Sequence, residues 1–183
     1  MPSSASRRRR LPVLNPDDER VVAGQLGRTP RGRCRVVSRC GHGFPRVIAV
    51  APDLGDGTPF PTTFWLTCPY LTDAVHSLES RGVHRVLAEQ ATSDAAFAHR
   101  IVAADAAYRA ARAAEGDGAD PCGDVGTAGQ VDALAVKCLH ARLAALLAGI
   151  EDPVGGQVRV LLEQETGVLD CPDARCAAVV VAS

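Results

Sequence analysis

The chain has 183 residues, 46% of them hydrophobic, with a formal net charge of -1, which is enough material for a single domain with a buried core. No stretch approaches the roughly 18 apolar residues of a membrane-spanning helix, and the opening "MPSSASRRRRLP" has no apolar region behind its basic run, which excludes a secretory signal. Seven cysteines, an odd number in a chain too long to need staples, fit a reducing compartment; the reading is a soluble, cytoplasmic protein with free thiols.

The near-zero charge conceals an uneven distribution. Residues 1–50 carry eleven arginines against three acids, a net of +8, and residues 51–183 carry a net of -9. Two readings are open: the halves neutralise each other in the fold, or Arg28, Arg31, Arg33, Arg35, Arg39 and Arg46 form a face for nucleic acid, anionic lipid or a protein partner. No aromatic residues interleave these arginines, which disfavours base stacking.

In chain order, residues 1–12 are a Ser- and Arg-rich tail without apolar period and are expected to be disordered. "NPDDERVVAGQLGR" predicts a short helix, with Asn15 as cap, Pro16 in the first turn and three acids at the positive end of the dipole. "RCRVVSRC" and "RVIAVAP", joined by the glycine turn "GHGFP", read as a β-hairpin. "TTFWLTC", after a turn-dense loop, is a third strand. "CPYLTDAVHSLESRG" spaces Leu71, Val75 and Leu78 as a helix ending at Gly82. Two further helices follow, the second starting near Ser93. "QVDALAVKCLHARLAALLAGI" is the strongest helical pattern in the chain, and the end holds a helix or strand at 157–165 and an apolar strand at 177–182. The layout predicts an α+β fold, a small N-terminal antiparallel sheet of about three strands packed against several helices. The expected division is a tail over 1–12, a single domain over 13–156 and a partly ordered C-terminal extension over 157–183.

Thiols and imidazoles supply the chemistry. Cys68 closes a strand and precedes Pro69, so it occupies a helix cap, where orphan amides favour a thiolate. Cys40 and His42 lie in the hairpin turn, a common way to present zinc ligands. Cys138 and His140, two residues apart inside a helix, project about 200° apart, so they share one site only if the helix starts between them or is distorted; otherwise Cys138 packs in the core and His140 turns outward. Cys171 and Cys176, in "CPDARC", have a spacing that zinc tolerates without being diagnostic. Cys34, Cys122, His76, His84 and His99 read as packing or surface residues. No phosphate loop, dinucleotide fingerprint, nucleophile elbow or H-E-x-x-H occurs.

Together "SRCGHGFPRVI", "DGTPFPTTFWLTCPYL" and "VKCLHARLA" resemble a bacterial family known as the domain of unknown function 501, over roughly residues 17–155. The resemblance implies no settled activity. Its characteristic phrases contain Cys40, Cys68, Cys138 and His140, and the histidine that some members carry one turn after the last phrase is Ala144 here.

Three functions are compatible with these residues. The first is a zinc ion or iron-sulfur cluster held by Cys40, Cys68, Cys138 and His140, with His42 as the alternative fourth ligand, in a structural or catalytic role. The second is a metal-free thiol enzyme with Cys68 as nucleophile, His140 as base and Lys137 holding an anionic substrate. The third is an Arg-rich interaction module for nucleic acid or a cell-division complex.

Overall fold

A computed structural model describes residues 13–181; the tail expected over 1–12 lies outside them. Helix α1 (Pro16–Leu26) starts where the sequence says it should. Asn15 accepts the Asp18 amide at 2.8 Å, Pro16 opens the first turn, and Gly27 closes the helix at φ 68°.

Strands β1 (Cys34–Arg39), β2 (Pro45–Val50) and β3 (Phe64–Leu66) form an antiparallel sheet in the order β1-β2-β3. Successive residues of a strand face opposite ways, and both faces of β2 are covered. Val47 and Ala49 join Phe64, Leu66 and Cys68 in the larger core beneath the helices, whereas Ile48 and Val50 meet Val22 of α1 and Cys34. Burial on both sides explains why "RVIAV" is a nearly continuous apolar run.

Helices α2 (Pro69–Ser80), α3 (Val83–Ser93) and α4 (Ala95–Glu115) follow. Ser93 is the last residue of α3 rather than the next cap; Asp94 takes that role by accepting the Phe97 amide at 3.0 Å. Tyr108 anchors α4 to the sheet, accepting the Thr63 amide at 2.7 Å and meeting the Phe64 ring edge-on.

The strongest helical pattern is helical only in its second half. Helix α5 spans Leu139–Leu147, and Cys138 before it is extended, at φ -134° and ψ 112°. Residues 130–138 fold back over α5 because polar partners hold them there. Asp132 accepts the Leu134 amide at 2.9 Å, and the fully buried Arg142 of α5 donates to the Ala133 carbonyl at 2.7 Å. Leu139 and Leu143 are completely enclosed, each such side chain contributing roughly 1.5–3 kcal/mol by burial.

Asp152 starts α6 (Pro153–Thr166) by accepting the Gly155 amide at 2.8 Å. The division expected between residues 156 and 157 falls inside α6, whose Val158 and Leu162 share the larger core with the residues before it. A Cβ at Gly155 would press on the Arg142 carbonyl, so α5 and α6 can approach this closely only with glycine there. Residues 177–181, expected as a strand, belong to helix α7 (Cys176–Val181), which packs on α1. A short apolar run reads equally as strand or helix, and here it lies outside the sheet of β1, β2 and β3. No helix among the described residues is long and apolar enough to cross a membrane.

Candidate functional site

The four residues expected as one ligand set fall into two places. Cys138 and His140 come together because α5 starts between them: Cys138 is its cap and His140 its second residue. A third donor meets them there. Glu79, one residue from the end of α2, brings a carboxylate oxygen to within 4.8 Å of both the Cys138 sulfur and a His140 nitrogen. All three residues are half-buried. Lys137, next to them in sequence, is exposed.

Hydrogen bonds fix each group. Glu79 Oε1 accepts the Leu139 amide at 2.6 Å, so the carboxylate closes the first turn of α5 from outside. His140 Nε2 lies 3.1 Å from the Thr72 carbonyl, and Nδ1 lies 3.2 Å from Glu79 Oε1. A carbonyl only accepts, so Nε2 carries a hydrogen; Nδ1 is the atom turned to the carboxylate and the thiol. Burial alone would lower the His140 pKa, but the Cys138 side chain, the Glu79 charge and the Thr72 carbonyl outweigh it and raise it to about 9. Without another cation, His140 is therefore an imidazolium at neutral pH.

Glu79 is the residue that sequence reasoning misses. One signal does exist: a carboxylate in the last turn of its own helix opposes the dipole, and such a placement calls for a compensating partner. That partner is the positive end of α5. Ala144, one turn further along α5, is fully buried in the core.

Cys68 lies elsewhere. It caps α2 as expected, but Glu79 is eleven residues further along that helix, roughly 16 Å of rise. Burial pushes the Cys68 thiol up to about 11, against the amides of Leu71 and Tyr70, which lower it. A buried thiol so raised is a poor nucleophile at neutral pH, and His140 hydrogen-bonds to Thr72 and Glu79 rather than to Cys68. Cys40 is buried at the end of the hairpin, and His42 Nε2 lies 2.7 Å from the Cys171 carbonyl. The neighbours of Cys68 are Cys171 and Cys176, whose charges would raise it further.

Four of the six arginines weighed as a basic face are ion-paired within the chain. Arg33 pairs with Asp117 at 2.9 Å, Arg39 with Asp18 at 2.7 Å, Arg46 with Asp170 at 3.4 Å, and Arg35 with Glu115. Arg28 lies over the Trp65 ring at 5.4 Å.

The sheet from its third residue onward, the α2–α5 junction and the phrases around Cys40, Cys68, Cys138 and His140 fall in one matched stretch. The chain belongs to the family described as Protein of unknown function (DUF501), whose model covers residues 36–159. No curated protein matches the chain, and no solved structure does.

Proposed function

We propose that this protein binds a divalent transition metal, zinc best among them, through Glu79, Cys138 and His140, with a water or substrate in the fourth position. One observation carries the reading: three donor atoms of the types zinc prefers lie within 4.8 Å of one another across two helices. The outer contacts fit as well. A ligating histidine usually gives its other N–H to a carbonyl or carboxylate, which fixes the ring, and here Nε2 meets Thr72. Between a carboxylate and a thiol, Nδ1 needs a positive charge; a proton supplies it in the metal-free protein and a metal ion replaces it. Three protein ligands and an open position are the arrangement in which zinc activates water or polarises a substrate.

Cobalt(II) titration in the presence of a thiol reductant tests this. The wild type is expected to develop the thiolate-to-cobalt absorption with one cobalt per chain, displaced by zinc. Cys138→Ser abolishes that absorption, and His140→Ala and Glu79→Gln weaken binding by at least about tenfold, the lower end of what even outer-shell changes cause. Undiminished binding in a folded Cys138→Ser/His140→Ala protein, or no binding in the wild type, overturns the reading.

A second reading keeps the thiol chemistry without metal but moves it to Cys138. That residue is part-exposed at the start of α5, beside His140, so that a thiol and an imidazole stand together as thiol catalysis requires. It predicts that Cys138 alkylates well before Cys68 at neutral pH and that added zinc leaves the rate unchanged. Protection of Cys138 by zinc favours the metal.

A further inference from the structure

Cys40, Cys68, Cys171 and Cys176 are buried, and they converge around the first residues of β2. Cys40 sits just before the turn that leads into β2, its amide donating to the Phe44 carbonyl at 3.0 Å. Cys68 follows β3, its amide directed at the Arg46 carbonyl at 3.4 Å. Gln25 of α1 joins the C-terminal segment to this place: one side-chain nitrogen reaches the Cys176 sulfur at 3.1 Å and the Pro45 carbonyl at 2.8 Å. His42 holds the Cys171 carbonyl at 2.7 Å. The thiols also sense one another's charge, Cys68 with Cys171 and Cys176, and Cys176 with Cys40 and Cys171.

An ordinary buried cysteine fills a gap among apolar side chains. Cys68 does, but Cys40, Cys171 and Cys176 belong to neither apolar core; they are buried together with one another. Cationic groups flank them. Arg46 is largely covered and paired with Asp170, and Arg175 lies close enough to Cys171 to feel its charge.

We infer that Cys40, Cys68, Cys171 and Cys176 form a second metal centre that holds an iron-sulfur cluster, independent of the Glu79–Cys138–His140 group. An all-thiol set suits soft centres, either zinc or iron-sulfur. Spacing separates these two. A single zinc with bonds near 2.3 Å draws its sulfurs to roughly 3.8 Å from one another, whereas among the described residues no three of these thiols come within 4.8 Å of one another. In a four-iron cluster each thiolate binds its own iron, and the sulfurs stand wider apart. The Gln25 N–H on the Cys176 sulfur is the kind of contact that tunes such clusters. Loading is ligand exchange without oxidation: each cysteine thiol forms a sulfur–iron bond, its proton passes to the departing small thiolate, and that thiol leaves.

The test is anaerobic transfer from a synthetic four-iron, four-sulfide cluster ligated by small thiols. The full chain is expected to retain about four irons and four sulfides, with the broad visible absorption of a cluster. Cys171→Ser and Cys176→Ser lose it, and Cys138→Ser and His140→Ala keep it, which separates this site from the cobalt site. Alkylation of the loaded and the cluster-free wild type, mapped by mass spectrometry, covers the case in which a variant fails to fold: Cys40, Cys68, Cys171 and Cys176 react more slowly in the loaded protein, and Cys138 reacts equally in both. Failure to take up a cluster, a zinc ion in its place that a folded Cys138→Ser/His140→Ala protein still holds, or retention in a folded Cys171→Ser/Cys176→Ser protein overturns the inference.

Discussion

His140 faces an acceptor with each ring nitrogen, and that has a measurable sign. Its folded pKa, about 9, exceeds the unfolded value near 6.5, so the folded state binds the proton more tightly. The stabilisation is fully present below about pH 6.5 and is lost as pH rises through about 9. Metal-free protein is therefore expected to lose stability to urea between these limits, and Glu79→Gln to lose less over the same range. Equal slopes in the two proteins would mean that the carboxylate does not hold the proton. Metal must displace the same proton, so zinc affinity rises with pH up to about 9. The residues near Asn15 and Cys68 are legible in the sequence because their signals are local: a cap, a proline and a first turn. Glu79 is not, because its partners are 60 residues away.

The start of α5 shows the same limit for an element. Its apolar period runs unbroken from Leu134 onward, yet the helix begins only at Leu139, where an external carboxylate takes the first amide. Arg142 then sets the packing. It is fully buried, lies 3.2 Å from the Asp152 carboxylate that caps α6, and holds the Ala133 carbonyl. Burial pushes the Asp152 carboxyl up, and the Arg142 charge and the Gly155 amide oppose it. Arg142→Leu leaves that carboxylate enclosed without its counter-charge and should cost about 3–5 kcal/mol. Arg142→Leu/Asp152→Asn, which keeps a capping oxygen, should recover part of the loss. Urea denaturation of the single and double variants measures both; a double variant no better than the single would show that the pair is not the cause.

For the molecule as a whole, the uneven charge is resolved mainly by long-range pairs. Arg33, just before β1, and Arg35 within it reach Asp117, just past α4, and Glu115 at its end, and Arg46 reaches Asp170 near the C-terminus. These pairs differ in worth. Glu115 keeps 8% of its side-chain exposure whereas Asp117 keeps 33%, so Arg35→Gln is expected to cost about 1–3 kcal/mol and Arg33→Gln under about 1 kcal/mol. Midpoints of urea unfolding at unchanged slope decide it; equal costs would mean that enclosure of the acid is irrelevant. The α+β layout and the three strands are legible from periodicity and turn residues. The convergence of residues 171–176 on the hairpin is not, since neither spacing nor period encodes which distant segment a buried thiol meets.

That convergence also sets an order of events during synthesis. Cys68 leaves the ribosome 103 residues before Cys171 and Cys40 131 residues before it, delays of roughly 5–26 s at ordinary elongation rates. For that interval the hairpin and the start of α2 exist with half of their thiol neighbourhood missing. A nascent chain thus exposes two sulfurs to oxidants and stray metals that the finished protein covers, and shelter by other proteins would matter most in that interval.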